Sequence, residues 1–185
     1  MKNMNLPNKL TLLRVLMIPV FMIFALLENG FCQFIALALF LVASLTDYLD
    51  GYIARKCNLV TDFGKFMDPI ADKLLVMSAM VILVGQNRMP AWICVVMLAR
   101  EFIISGFRLV AAGKGTVIAA GMTGKIKTVT QMIAIVMLFL FSNATGGGSG
   151  FFYFLSNVMV FVSAVMSIVS CVEYVWNNRG VIADM

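Results

Sequence analysis

The sequence contains no histidine, and only 12% of its 185 residues are charged. The first absence removes imidazole both as general base and as metal ligand, so any proton transfer falls to a carboxylate. The second excludes an ordinary soluble domain, in which about a quarter of residues are charged. Cysteine is scarce as well. Cys32, Cys57, Cys94 and Cys171 are scattered singly, with no Cys-x-x-Cys pair, which argues against a disulfide framework and, with histidine missing, against zinc or iron–sulfur sites. Hydrocarbon fills the chain instead: 62% of residues are hydrophobic and the mean hydropathy is +0.97. The 15 methionines, 15 phenylalanines and both tryptophans are the filler of lipid-facing helices and take no cofactor role.

Turn residues divide this hydrocarbon into six segments. Polar Met1 to Lys9 leads through Leu10-Thr11-Leu12-Leu13-Arg14 into the apolar run Val15 to Leu27, which reads as a short interfacial helix feeding a first span. No small-x-small cleavage site follows, so this is not a signal peptide. Glu28-Asn29-Gly30 turns into a second span, about Phe31 to Arg55, longer than the ~20 residues a bilayer needs, so its carboxylate-bearing end emerges. Lys56 to Gly64 is a loop, and a third span runs from about Lys65 to Gly85 with Pro69 able to kink it beside Asp68. After the turn Gln86 to Pro90 come a fourth span, about Ala91 to Ala112, and a loop with Gly113, Lys114, Gly115 and Gly121. Lys125 and Lys127 open a fifth span that reaches about Phe141, and a sixth covers about Phe151 to Trp176. Between them Asn143 to Gly150 is flexible linker, in which Asn143-Ala144-Thr145 is a weak glycosylation sequon. The expected fold is a single all-α polytopic membrane domain over residues 1–185, with six transmembrane helices and a short N-terminal interfacial helix.

An even number of spans puts both termini on one side. Thirteen of the 14 basic residues lie at or toward that side and only Arg88 lies opposite, so by the positive-inside rule the terminal side is cytoplasmic; the expected location is the plasma membrane. The net charge of +5 then reflects topology and anionic lipid contact and implies no nucleic-acid partner. No internal repeat is visible, which disfavours a symmetric transporter.

Acidic residues number nine, and five of them (Asp47, Asp50, Asp62, Asp68 and Asp72) fall in one stretch. On helices, Asp47 and Asp50 stand at i, i+3 and Asp68 and Asp72 at i, i+4, so each pair projects from one face. Carboxylates beside membrane helices are costly unless functional. Four together repel unless cations lie between them, and two hard divalent ions, Mg²⁺ or Mn²⁺, would balance their charge. Oxygen-only paired sites of this kind serve phosphoryl chemistry. Gly51, Ala54 and Gly64 leave room for close approach by a helix or a ligand. The competing structural reading is a salt-bridge cluster with Arg55, Lys56, Lys65 and Lys73. A divalent-cation transporter could use the same carboxylates, but the opposite face offers only Glu28 and Arg88 toward a polar path.

A second cluster is basic. Arg100 and Arg108 share a helical stripe, and Arg100 sits near mid-span beside Glu101, where a polar cavity is cheaper than hydrocarbon. With Lys125 and Lys127 they suit a phosphate dianion, so the acceptor itself is expected to carry phosphate.

The pattern Asp47-x2-Asp50-Gly51-x2-Ala54-Arg55-x8-Gly64-x3-Asp68-x3-Asp72 resembles the signature of the CDP-alcohol phosphotransferase family at all eight fixed positions. The resemblance implies six-helix membrane enzymes that join a CDP-linked donor to an alcohol with divalent metal and release CMP; it also suggests a homodimer. Two further stretches, Leu6-Pro7-Asn8-x2-Thr11-x2-Arg14 and Arg100-Glu101-x3-Ser105-Gly106-x-Arg108 with Gly124-Lys125-x-Lys127-Thr128-x2-Gln131, resemble the phosphatidylglycerophosphate synthase branch, so likeness covers most of residues 5–131. That branch implies CDP-diacylglycerol as donor and glycerol 3-phosphate as acceptor. By the same resemblance Asp47, Asp50, Asp68 and Asp72 bind metal, Asn8, Thr11, Asp50, Gly51, Ala54, Arg55 and Gly64 contact the donor, and Arg100, Arg108, Lys125 and Lys127 hold the acceptor phosphate. Cardiolipin synthases of the same family are the alternative. With no histidine available, Asp72 is the expected base; its alternative role is that of a fourth metal ligand only.

Overall fold

The computed structural model describes residues 6–56, 62–113, 118, 121–141 and 150–180, and within helices the side chains of residues 6–10, 47–56, 62–66, 68, 69 and 72 lie outside what is described. Six helices appear in order: α1 Leu6–Leu26, α2 Gly30–Lys56, α3 Asp62–Gly85, α4 Ala91–Gly113, α5 Met122–Leu140 and α6 Phe151–Asn177. There is no strand among the described residues. One expectation is corrected: among the described residues no separate interfacial helix precedes the apolar run of α1, because Leu6–Leu26 is a single helix. Pro7 lies in its first turn, where a missing N–H leaves no helical bond unmade, and no residue between Pro7 and Pro19 breaks helices. α3 likewise continues through Pro69.

The helix ends explain the turns. Asn29 caps α2, its Oδ1 accepting from the Phe31 N–H at 3.1 Å while its carbonyl accepts from Gln33 N at 2.9 Å. α3 ends with Asn87 in the left-handed region (φ 57°); Arg88 N donates to Leu83 O at 2.9 Å and Asn87 N to Val84 O at 3.0 Å, which satisfies the last carbonyls before Pro90. Side chains then tie the two turns together. Gln33 Nε2 donates to the carbonyls of Ala25 (2.8 Å) and Leu27 (3.2 Å), Gln86 Nε2 to Ala25 O (2.6 Å), and the Arg88 guanidinium to Gln33 Oε1 (2.8 Å). Burial holds the Arg88 pKa below the ordinary arginine value, while Glu28 and Tyr153 pull it back up.

Packing follows the 3.6-residue period. Thr11, Arg14, Ile18, Phe21 and Ala25 form one buried stripe on α1, which packs against α2 and α3. A contiguous buried cluster takes side chains from all six helices, including Phe21, Phe40, Met80, Met97, Phe139 and Val160. On α6 the buried stripe is serine-rich: Ser156, Ser163, Ser167 and Ser170 allow close approach of neighbouring helices. The exterior is apolar instead of charged, with Leu16, Phe31, Leu109 and Phe151 each more than half exposed, a surface suited to hydrocarbon. α5 and α6 are each long and apolar enough to cross a membrane. The apolar stretches of α1, α2 and α3 are the shorter runs Thr11–Leu26, Gly30–Thr46 and Lys73–Gly85, and α4 carries Arg100, Glu101 and Arg108 within its length.

Candidate active site

The carboxylate-bearing positions lie on two continuous helices. Asp47, Asp50, Gly51, Ala54 and Arg55 belong to α2, and Gly64, Asp68 and Asp72 to α3. The i, i+3 and i, i+4 spacings therefore put each pair of positions on one face of its helix; the eight side chains themselves lie outside the described residues, as does that of Asn8. Their immediate neighbours are described. Ser44, three residues before Asp47, and Lys73, directly after Asp72, both line a cavity of about 230 Å³. Among the described residues Val76, Met77, Met80, Glu101, Lys127, Thr128, Gln131 and Met132 also line it, so α2, α3, α4 and α5 all contribute.

The wall furnished by α4 and α5 is ionic. Lys127 is 1% exposed, and its Nζ is hydrogen-bonded and ion-paired to Glu101 Oε1. The same carboxylate oxygen lies 3.4 Å from Arg100 Nη1, and Arg100 Nη2 donates to Ser170 Oγ on α6 at 2.6 Å. Across the cavity the Lys73 ammonium donates to Ser105 Oγ, which in turn donates to the Glu101 carbonyl. Gln131, 3% exposed, points its Nε2 at Met80 Sδ, 3.0 Å away. The largely buried Glu101 carboxylate grips two cations, so that trio carries one excess positive charge, and Lys73 places another cation in the cavity lining.

A second cavity of about 170 Å³ lies between the C-terminal half of α4, the start of α5 and the end of α6, with Arg100, Arg108, Glu173 and Tyr174 in its wall. The Arg108 guanidinium lies 5.7 Å from the centre of the Tyr174 ring. α5 packs closely here: a Cβ at Gly124 would touch Arg100 Nη2 at 3.4 Å and Ser170 Oγ at 3.8 Å, ordinary contact distances.

The four expected acceptor cations are thus divided. Arg100 and Arg108, eight residues apart on α4, share the second cavity, and Lys127 lies in the first. Lys125 is exposed. Two residues on a helix are separated by roughly 200° of rotation, so Lys125 and Lys127 cannot face one cavity together. Thr11 is buried on α1 together with Arg14. Sequence reading left Lys73, Ser105 and Ser170 out of the site. The serine spacing on α6 was the available signal for Ser170; nothing local pairs Lys73 with Ser105.

Comparison with known proteins gives the family. Residues 4–173 match the CDP-alcohol phosphatidyltransferase family. A Bacillus subtilis (strain 168) protein named CDP-diacylglycerol–glycerol-3-phosphate 3-phosphatidyltransferase is 52% identical over 148 residues, 74% of this chain and 77% of that protein. Identically named proteins of Rickettsia typhi and Salmonella paratyphi A are 39% and 37% identical, over 92% and 97% of this chain and 94% and 98% of theirs. A family match spanning nearly the whole chain, with a carboxylate signature on α2 and α3 next to a cationic cavity, makes the chain a member of the CDP-alcohol phosphatidyltransferase family.

Proposed function

We propose that the chain transfers the phosphatidyl group of CDP-diacylglycerol to sn-glycerol 3-phosphate, forming phosphatidylglycerophosphate and releasing CMP. The observation that carries this reading is the adjacency of the eight-position signature on α2 and α3 to a cavity whose lining includes Lys73, Lys127 and Glu101. The names of the relatives support the same donor and acceptor.

In the proposed reaction the acceptor hydroxyl forms a new P–O bond to the lipid-bearing phosphorus. The pyrophosphate P–O bond breaks, and CMP leaves with the bonding electrons. The hydroxyl proton passes to Asp72, since the chain has no histidine. Asp47, Asp50, Asp68 and Asp72 form an all-carboxylate donor set, which fits Mg²⁺ or Mn²⁺ better than metals that prefer nitrogen or sulfur. Two such ions, when bound, would neutralise the pyrophosphate and acidify the hydroxyl. Gly51, Ala54 and Gly64 give the nucleotide close access, with Asn8, Thr11 and Arg55 on the donor, while Arg100, Arg108 and Lys127 supply charge for the acceptor phosphate from the cavity walls and the exposed Lys125 adds only a screened contribution. The chain is a single domain of six membrane spans with its site on the cytoplasmic face of the plasma membrane.

Purified protein with Mg²⁺ or Mn²⁺ should release CMP from CDP-diacylglycerol when glycerol 3-phosphate is added. No CMP with glycerol 3-phosphate, phosphatidylglycerol, serine or inositol phosphate would overturn the enzyme class, and preference for phosphatidylglycerol would make the chain a cardiolipin synthase.

A further inference from the structure

Between the α3–α4 turn and the first turns of α6 lies a cavity of about 300 Å³ whose wall includes Val84, Asn87, Arg88, Ala91 and Asn157. α3 carries Asp68 and Asp72 toward its start and this cavity at its end, so the two lie at opposite ends of that helix. Arg88 is the chain's one basic residue at this end, and it is partly buried. A guanidinium has five N–H donors. The bond to Gln33 Oε1 at 2.8 Å is the only hydrogen bond of this one among the described residues. Glu28 attracts Arg88 without closing an ion pair, and what burial costs the guanidinium is not offset, since its pKa stays below the ordinary arginine value. Asn87 and Asn157 bring neutral amides to the same wall, Asn157 Nδ2 donating to Tyr153 O at 2.9 Å. Apolar surface begins directly beside them. Trp92 follows Ala91 and Phe161 lies one turn beyond Asn157; their rings are 5.9 Å apart, and they are 58% and 49% exposed.

A partly desolvated cation with donors to spare, in a polar cavity at the edge of an apolar exterior, complements an anion that carries hydrocarbon. We infer that this cavity binds the phosphate of an anionic phospholipid in the leaflet opposite the carboxylate positions, with Arg88 as its cation and an acyl chain against Trp92 and Phe161. The inference rests on the reading that the bundle spans the membrane. A free phosphate ion would use the same donors but leave the two rings uncovered, whereas aromatic side chains beside a cation are the usual partners of headgroups at a membrane boundary. A lipid held here touches both the end of α3 and the start of α6, and by binding only the folded chain it stabilises the bundle.

The test uses Trp92 as its reporter. Trp176→Phe leaves Trp92 as the sole tryptophan. The protein is placed in phosphatidylcholine vesicles that contain a small, equal mole fraction of either phosphatidylglycerol or phosphatidylcholine with dibrominated chains, whose bromines quench tryptophan on contact. Quenching of Trp92 should show brominated phosphatidylglycerol bound about fivefold more tightly than brominated phosphatidylcholine, the preference expected of one partly screened ion pair. Arg88→Gln should abolish that preference and leave CMP release per folded molecule unchanged. Equal quenching by the two lipids, or a preference that survives Arg88→Gln, overturns the inference. If Arg88→Gln does not fold, Asn157→Asp decides, because a carboxylate in the wall repels an anionic head: the preference should vanish or reverse, and an unchanged preference overturns the inference. Inorganic phosphate is the other arm. An Arg88-dependent rise of the thermal midpoint with phosphate, together with no preference between the brominated lipids, would assign the cavity to the free ion and overturn the lipid. If neither lipid quenches Trp92, the membrane-spanning reading falls together with this inference, whereas equal quenching by both sinks the inference alone.

Discussion

The two ends of the bundle bury similar polar side chains and use them in opposite ways. At the end that carries the α1–α2 and α3–α4 turns, Gln33 and Gln86 donate to the Ala25 carbonyl, and Arg88 donates to Gln33. These groups complete helix ends, whose last carbonyls have no partner within the helix. Toward the other end, Glu101 grips Lys127 and Arg100, and Lys73, in the wall of a cavity, donates to Ser105. Glu101, Lys127 and Arg100 pair with one another and can exchange partners; Gln33 and Gln86, bonded to backbone carbonyls, cannot do so without unravelling a helix end. A buried ion pair roughly breaks even against its desolvation, so a phosphate that replaces Glu101 as partner of Lys127 need not overcome a deep well. The comparison sets the candidate site at one end apart from the helix-end bonding at the other.

The sharpest way to break it is at the carboxylates. Asp72→Asn keeps the shape and one ligand oxygen but removes the base, so turnover should fall ~10²–10⁴-fold while metal-dependent CDP-diacylglycerol binding survives. Asp47→Asn, which alters a metal ligand, should lose donor binding as well. Equilibrium binding of labelled donor beside CMP-release assays separates the two. If Asp72→Asn loses donor binding as completely as Asp47→Asn does, Asp72 is a metal ligand and the base must be sought elsewhere.

The opposite end should respond in stability alone. Gln33→Leu removes the donor to Leu27 O, one of two donors to Ala25 O and the acceptor for Arg88. Leaving such groups unpaired costs about 1–3 kcal/mol, read as a lowered midpoint in thermal denaturation of the detergent-solubilised protein. The kcat/KM per folded molecule should stay within about twofold, since a surface or structural change far from the site leaves transition-state contacts intact. A large loss of kcat/KM with unchanged stability would show that the two ends are coupled and that the division drawn here is false.

Much of this arrangement is legible in the sequence because it is local. Asn29-Gly30, Asn87 and Pro90 mark turns by backbone preference, and the helix limits fall within three residues of where those signals put them. The carboxylate spacings need only a helix to acquire meaning. Helical periodicity also separates Lys125 from Lys127 and keeps Arg100 with Arg108, a consequence the simple grouping of four cations overlooks. Partners on different helices are another matter. That Lys73 meets Ser105, or Arg100 meets Ser170, depends on which helices pack together and how each is rotated, and no spacing within one helix encodes that. The interfacial helix failed for a local reason: Arg14 is a polar residue among apolar ones but not a helix breaker, so the helix runs through it.

The smallest effects sharpen the comparison within the cationic half itself. Removing a charge-assisted phosphate contact costs about 1.5–3 kcal/mol, roughly ten- to a hundredfold in acceptor KM, and Arg100→Gln and Lys127→Gln should fall in this range because both side chains sit against cavities within a shared ionic network. Lys125 is exposed on the far side of α5 from Lys127, where a charge acts through water and is worth at most about 1 kcal/mol. Lys125→Gln should therefore raise the acceptor KM by no more than about fivefold, with the difference shrinking as salt is raised, because exposed charges are screened and buried ones much less so. Measuring acceptor KM for the three variants at low and high ionic strength decides the matter. A Lys125→Gln effect as large as that of Lys127→Gln, and insensitive to salt, would mean that Lys125 turns inward when the acceptor is bound, and the site would then need all four cations at once.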